Sequence, residues 1–393
     1  MSFGLVAAGV AGLLLAHLAR DHVRSVRALG RRSAGRPPRP ANHPRVTIIR
    51  PIKGRDPGQE ENLRAALDTG YPGEIETLFV FEDEDDPGYP AAAGAVAEHR
   101  RAGGHGEARI ILSGPRPPGC TGKIHNMIAG FAEARGSLVG FGDSDTRPDD
   151  EVLENLVAHL EADPGAGAAF APPLAPTGPR TAGDVGHHIV LNGYLTASME
   201  ARLGPRRELP FLMGQLMLFR REALEAIGGV ASARGQLVDD MFLGARLVRH
   251  GYRNVVGTRV LPVIVRDLAF PDFVRLWRRW LFCGRGGMPF SFVRPFVVRA
   301  SSFYLALGLA TGAGIAGPLW AAALPTALAL AEGAHYLRLH RLHGGPPIPL
   351  RHAWMAWMPY LLALPIIVSM LIRPELEWRG HTYRVDGSAK LAG

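Results

Sequence analysis

Lysine is scarce in this chain: among 44 Lys and Arg residues, only Lys53, Lys123 and Lys390 are lysines. Such a bias fits a GC-rich genome better than any binding function. A polynucleotide binder would show a basic face interleaved with aromatics on a soluble module, and the arginines here sit beside apolar segments instead, so nucleic acid is not an expected partner. Cysteine is scarcer still. Cys120 and Cys283 stand alone and far apart, which supports neither a disulfide framework nor a zinc site. No Gly-x-Ser-x-Gly elbow and no His-Glu-x-x-His helix occurs, so hydrolase chemistry loses ground. The run Gly119-Cys-Thr-Gly122-Lys123 falls short of a phosphate loop, because Pro117 takes the first glycine slot and Ile124 the Ser/Thr slot. His187-His188 lacks partners at metal-ligand spacing and reads as structural. Charge, too, is missing over long stretches at both ends.

Those stretches organise the chain. Its 393 residues are 47% hydrophobic and 20% charged, with a net charge of +8. The mean hydropathy of +0.04 and the pI of 9.9 average apolar ends with an acid-rich middle. Ser2 to Leu18 is apolar apart from Ser2 and His17, and Arg20, Arg24, Arg27, Arg31 and Arg32 follow it. Positive charge after the segment favours a retained anchor over 1–20, with its N-terminus outside, rather than a removed signal peptide. A basic, proline-rich linker is expected over 21–44. Ala300 to Ala331 carries no charge, which is long enough for a tight hairpin of two spans turning near Gly314 to Pro318. The expected order is therefore a membrane hairpin over 299–337, a basic loop over 338–352, a transmembrane or re-entrant helix over 353–373 and a tail over 374–393. Gly308, Gly312 and Gly317 are candidates for close helix approach.

Residues 45–270 alternate between short apolar runs and segments of helical spacing. Val46 to Arg50, Thr77 to Phe81, Ala108 to Leu112 and Leu138 to Phe141 read as strands; Glu60 to Asp68, Ala91 to Arg101 and Lys123 to Ala134 read as helices. This predicts an α/β layer with a mainly parallel sheet, whose ligands gather at the carboxyl ends of the strands. The acids at those ends become the candidates. Glu82-Asp-Glu-Asp-Asp86 follows the second run, and the fourth ends in Asp143-Ser144-Asp145. Two carboxylates so spaced can share a hard divalent cation, Mg2+ or Mn2+, leaving positions for phosphate; they can also cap the next helix. Asp239-Asp240 precedes a helical stretch from Met241 to Arg249. The helix dipole favours an ionised aspartate there, and a general base for a hydroxyl must be ionised as well. Arg275-Leu-Trp-Arg-Arg279-Trp280, with Phe270, Phe273 and Phe282, has the mix of an amphipathic interfacial segment, expected over 271–298. In the functional alternative Arg279 holds phosphate and Trp280 covers the site.

Taken in order, these residues resemble the ceramide glucosyltransferase family, membrane-bound inverting nucleotide-sugar transferases of the GT-A type. The resemblance rests on Arg50-Pro-Ile-Lys-Gly54, Glu82 to Pro87, Lys123-Ile-His-Asn126, Asp143-Ser144, Arg220 to Leu224 with Gly228-Gly229, Asp239-Asp240, Arg279-Trp280 and Trp378-Arg-Gly-His-Thr-Tyr-Arg384. It implies that Asp83 holds the nucleotide base, that Asp143 lies at the ribose, diphosphate and metal, and that Asp240 is the catalytic base. Pro51 and Lys123 fall in its nucleotide-sugar-binding elements, and Arg279 and Trp280 match the end of its (Gln/Arg)-x-x-Arg-Trp element. The first slot of that element falls on Leu276, which carries no role. Asp145 as a metal ligand rests on the chemistry of the Asp-x-Asp pair, since animal members of the family tend to have glycine there.

The implied activity is inverting transfer of a sugar, most simply glucose from UDP-glucose, onto a hydroxyl of a ceramide-like membrane lipid. The fold implied is a cytoplasmic GT-A domain with one N-terminal and about three C-terminal transmembrane helices. The setting implied is a multi-pass protein of a bacterial inner membrane. A hopanoid polyol or diacylglycerol acceptor, a processive polysaccharide synthase and an inactive membrane scaffold are the competing readings.

Overall fold

The computed structural model describes residues 3–34, 39–288, 290–316, 319–384 and 390–391. The chain opens with α1 (Phe3–Ala34). An alternating unit follows: β1 (Val46–Pro51), α2 (Gln59–Leu67), β2 (Ile75–Phe81), α3 (Tyr89–Arg101), β3 (Glu107–Leu112), α4 (Gly122–Glu133), β4 (Leu138–Gly142) and α5 (Val152–Ala162). Next come β5 (Ala166–Phe170), β6 (Pro173–Leu174), α6 (Ala182–His188), a π-helical stretch (Ile189–Ala197) and α7 (Ser198–Glu200). The domain closes with β7 (Glu208–Leu209), β8 (Leu216–Arg220), α8 (Arg221–Ala226), α9 (Asp239–Arg249), β9 (Arg253–Val256) and β10 (Leu261–Pro262). The C-terminal part holds α10 (Phe270–Gly287), α11 (Phe290–Ala316), α12 (Ala323–His343), α13 (Met358–Ile372) and the strands β11 (Glu375–Trp378) and β12 (His381–Arg384).

The four apolar runs form parallel neighbours in the order β3-β2-β1-β4. Both faces of β1, β2 and β4 are buried, which is why these strands read as continuous apolar runs rather than alternations. The sheet keeps the expected mainly parallel character, and its antiparallel pairings come beyond β4. It continues β8-β5-β9-β7, with β8 antiparallel to both β4 and β5, and so is mixed. The carboxyl ends of β1, β2 and β4 lie on one edge, and α4, capped by the Thr121 hydroxyl on Ile124 N, starts beside them.

Among the described residues, two helical segments are long and apolar enough to cross a membrane, Phe3–Arg32 and Val293–Ile315; the pair Leu350–Ala356 and Met358–Ile372, bent by 45°, makes a third if counted as one. The expectation of an anchor ending at residue 20 is corrected by α1, which continues to Ala34. Its arginines are good helix formers, and Arg32 buries against Glu200 (3.5 Å) and His343 (2.8 Å), so the first part of the expected linker is helix. The rest of that linker lies partly outside the described residues, at 35–38.

The expected hairpin over 299–337 is also revised. Its second helix, α12, contains Glu332 and His335 and runs through the expected basic loop as far as His343. Those polar groups have partners inside the helical layer: Arg299 bridges Glu332 (3.2 Å) and Asp21 (3.1 Å), and Tyr360 donates to Glu332 (3.1 Å). A helix covered on its sides by other helices need not be apolar all round. Of the glycines expected to admit close packing, Gly308 has open space, Gly312 meets Phe3, and Gly317 lies outside the described residues. The tight contact is at Gly333, where a Cβ would come within 2.2 Å of the Trp357 ring. The segment expected to lie at the interface is covered by protein: Phe273, Trp277 and Phe282 of α10 are buried, and the Trp277 indole donates to Pro359 O.

Candidate active site

Two cavities flank α10. Consecutive residues on a helix point about 100° apart, so Arg279 and Trp280 face different spaces. Arg279 lines a polar cavity of 140 Å³ together with Pro51, Glu82, Lys123, Asp143 and Asp145. Trp280 lines a larger, mostly apolar cavity of 660 Å³ between the π-helical stretch, α10, α11 and α13, and its ring packs on His187 at 5.5 Å.

In the polar cavity, the strand ends converge on one ammonium. Lys123, in the first turn of α4, lies 2.9 Å from Asp143 at the end of β4 and 3.2 Å from Asp239 at the start of α9. Burial alone would lower the Lys123 pKa, but Asp143, Asp239 and Asp240 outweigh it and hold the group firmly protonated. Arg50, on β1, is buried beneath the site and donates to Asp143 O and Thr146 O, so it braces the turn that carries both aspartates. Asp56 accepts from the Ser144 hydroxyl and from Arg379 (2.6 Å).

Asp240 sits beside Lys123 of the polar cavity, although it is not among the residues that line either cavity. Its Oδ2 and the Lys123 Nζ are 3.1 and 3.2 Å from the point a Cβ on Gly214 would occupy, and the preceding residue, Met213, lines the apolar cavity. The bare α-carbon of Gly214 is what lets carboxylate and ammonium meet here. Burial, followed by the neighbouring Asp239, pushes the Asp240 carboxyl up to about 7, against the pull of Lys123. A carboxylate of that proton affinity suits a general base at neutral pH.

The Asp143/Asp145 pair meets the requirements of a cation site in part. Asp145 Oδ1 is buried with no hydrogen-bond partner, and burial, then Asp143 and Asp56, raises its pKa. That is the state of a carboxylate lacking a counter-charge. Among the described residues no three His, Cys, Asp or Glu side chains converge as a metal site. A cation would therefore take two protein carboxylates and complete its shell from phosphate and water, the usual habit of Mg2+.

The structure brings together Pro51, Lys123, Asp143, Asp145 and Arg279 around one space. Asp83 stands apart, exposed after β2, while its neighbour Glu82 lines the cavity. Asp86, at the end of the same acidic run, is buried and accepts from Gly54 N and Gly88 N, so it shapes the loop. Of the two histidines, His188 bonds to the carbonyls of Asp184 and Thr177, while His187 is buried against Trp280 with its Nδ1 unpartnered. Sequence reasoning missed Asp56 and gave no role to Arg50 or to Trp378, Arg379, His381 and Tyr383, which entered only as carriers of the resemblance; those four C-terminal residues close the polar cavity. The Arg379-Gly380 pair, a hairpin-turn signal between short β-prone runs, was the clue available.

A family model described as glycosyl transferase family 21 matches residues 5–391. The chain belongs to this family. Family 21 relatives include ceramide glucosyltransferase 3 of Caenorhabditis elegans, 24% identical over 242 residues, a match covering 61% of this chain and 50% of that one. Ceramide glucosyltransferase of Komagataella phaffii is 33% identical over 102 residues, covering 25% and 19%. The chain thus spans about half the length of the first of these relatives. Among solved structures, the mannosyltransferase PcManGT of Pyrobaculum calidifontis, in complex with GDP-Man and Mn2+, superposes with a TM-score of 0.50 at 21% identity, covering 90% of this chain and 99% of that one. This likeness bears on the fold, a GT-A-like mixed α/β layer.

Proposed function

We propose that this protein transfers a sugar, glucose from UDP-glucose, onto a hydroxyl of a ceramide-like membrane lipid, with inversion at the anomeric carbon. The observation that carries the reading is the arrangement around α10: an acid- and cation-lined cavity on one side, a 660 Å³ apolar cavity on the other, and Asp240 packed beside Lys123 of the first and Gly214, the chain neighbour of Met213 in the second. The polar side suits a nucleotide diphosphate and the apolar side a lipid tail, so a lipid hydroxyl would meet the donor beside a carboxylate.

In this mechanism Asp240 takes the proton of the acceptor hydroxyl as its oxygen attacks the anomeric carbon and the bond to the diphosphate oxygen breaks. Lys123 and Arg279 stabilise the negative charge gathering on the leaving diphosphate, and Pro51 and Asp143 contribute to holding the nucleotide-sugar. Asp143 and Asp145 would hold a divalent cation, Mg2+ or Mn2+, which supplies Lewis-acid stabilisation of the same leaving group. No covalent enzyme intermediate is needed.

The setting we propose is the cytoplasmic face of a bacterial inner membrane. Support for the topology comes from contacts at both ends of the helical layer. His343, at the end of α12, bonds to Pro173 O in the α/β domain, and β11 and β12 lie against the polar cavity. If α11 leads outward and α12 leads back, the bent pair of Leu350–Ala356 and α13 re-enters rather than crosses, which keeps β11 and β12 on the side of the polar cavity.

The test is to supply purified protein with several UDP-sugars and a panel of ceramide, hopanoid and diacylglycerol acceptors and to identify products by mass. A single hexose on ceramide supports the reading; transfer only to a hopanoid or diacylglycerol replaces the acceptor, and a long glycan replaces the reading with a synthase. No turnover with any pair would leave the scaffold.

A further inference from the structure

The strands β11 and β12 form a hairpin whose two-residue turn, Arg379-Gly380, has φ values of 50° and 78°. Both residues are in the left-handed region that a two-residue hairpin turn of the type I′ class demands. Glycine adopts it freely, whereas arginine does so at a cost. The turn puts the Arg379 guanidinium at the tip, 2.6 Å from Asp56, whose other oxygen accepts from Ser144, the residue between Asp143 and Asp145. One residue earlier, the Trp378 ring lies under the Arg279 guanidinium at 5.3 Å. Arg278 anchors the hairpin's root, donating to Arg373 O (2.7 Å) and Glu375 O (2.8 Å). Farther along, Lys390 bridges to Gln236 and Leu391 N donates to Gly235 O, in the loop that leads to Asp239.

We infer that this hairpin is part of the diphosphate site: Arg379 binds the phosphates directly, and Trp378 is a positioning residue that holds Arg279 toward them. The inference rests on the donor reading above. A count of cations carries it. Lys123 is held between Asp143 and Asp239, Lys53 between Glu82 (3.6 Å) and Asp86 (3.7 Å), and Arg50 is committed to backbone carbonyls under the site. A diphosphate would add negative charge beside Asp56, Asp143, Asp145 and Glu82, so it needs cations with free donors. Arg279 and Arg379 are guanidiniums lining that space. A guanidinium has five N–H donors in a planar fork that matches phosphate, and the ion pair with Asp56 occupies part of the Arg379 set. Asp56 thus keeps Arg379 aimed into the cavity, where it can add phosphate contacts.

The test is calorimetric binding of UDP and UMP, with Mn2+ present, to the full-length protein in detergent, comparing wild type with Arg379→Ala, Arg379→Lys, Trp378→Ala and Trp378→Phe. Arg379→Ala should weaken UDP by about 10- to 100-fold, the size of charge-assisted hydrogen bonds to phosphate, and weaken UMP much less. Arg379→Lys, which keeps the charge and the means to pair with Asp56 but loses the fork, should fall between. Trp378→Ala should lower the UDP-to-UMP preference and Trp378→Phe restore it. Equal weakening of UDP and UMP in the Arg379 variants, or unchanged UDP affinity, would overturn the inference, since a structural role predicts the first and no role the second. If wild type itself binds no UDP, the donor reading fails first and this inference with it, a result distinct from failure of the variants alone.

Discussion

Lys123 and Asp239 act on the Asp240 carboxyl with opposite signs, and removing each should move the pH dependence of transfer in opposite directions. The base works only when ionised, so kcat/KM should fall about tenfold per unit below a limb near 7, the value to which burial and Asp239 raise Asp240. The Lys123 ammonium and the Asp240 carboxylate are both within 3.2 Å of one point, and so no more than about 6 Å apart. At that separation and an effective dielectric constant of about 20 their attraction is about 2.8 kcal/mol, or about two pH units. Asp240 is partly exposed, and screening reduces this to about one to two units. Lys123→Met should therefore raise the limb to pH 8 or above, while Asp239→Asn lowers it below 7. Losing Lys123 also leaves Asp143 without its cation, so a cost of about 3 to 5 kcal/mol in stability should accompany the shift. The assay is kcat/KM against pH with purified protein, the preferred UDP-sugar and its lipid acceptor. A limb that stays in place in both variants, whatever happens to the rate, would refute Asp240 as the group that titrates and the electrostatic account of its tuning.

Other outcomes follow from the same geometry. Asp240→Asn should keep UDP binding and lose about 100- to 10,000-fold in transfer; near-normal transfer would remove Asp240 from the mechanism. A chelator should abolish transfer and Mn2+ restore it, with Asp145→Ala needing more metal; indifference to both would sink the shared-cation site. Ala201 lines the apolar cavity, so Ala201→Trp should cut transfer to long-chain acceptors while UDP affinity holds, and a parallel loss of both would argue against that cavity as the acceptor site. Gly333→Ala drives a methyl into the Trp357 ring and should lower stability by about 1 to 3 kcal/mol, read as a fall in the Tm of the detergent-solubilised protein.

Much of the α/β domain was legible because local pattern and tertiary role agree. Val46 to Arg50 and Leu138 to Phe141 read as buried strands, and they pair as parallel neighbours in register Val46 with Leu138. Asp143, Asp145 and Asp240 were visible as acids at element ends, where strands and helix starts expose functional groups. The antiparallel insertion of β8 was not legible, since an apolar run has the same spelling in either direction. Nor was the length of α1: its arginine-rich second half looks like a linker until Glu200 and His343 provide partners for Arg32.

By itself the sequence determined which segments are apolar, which are helical or extended, and which acids and arginines stand at their ends, because these follow from residue type and spacing within a few turns of chain. Only the tertiary structure decided what those groups face. Arg279 and Trp280 are adjacent in sequence yet open onto different cavities, because the turn of a helix separates them by about 100°. Arg379 and Asp56 are far apart in sequence yet paired, because Arg278 of α10 holds the root of the hairpin beside the polar cavity. Distance along the chain carries no information about such meetings; packing alone creates them.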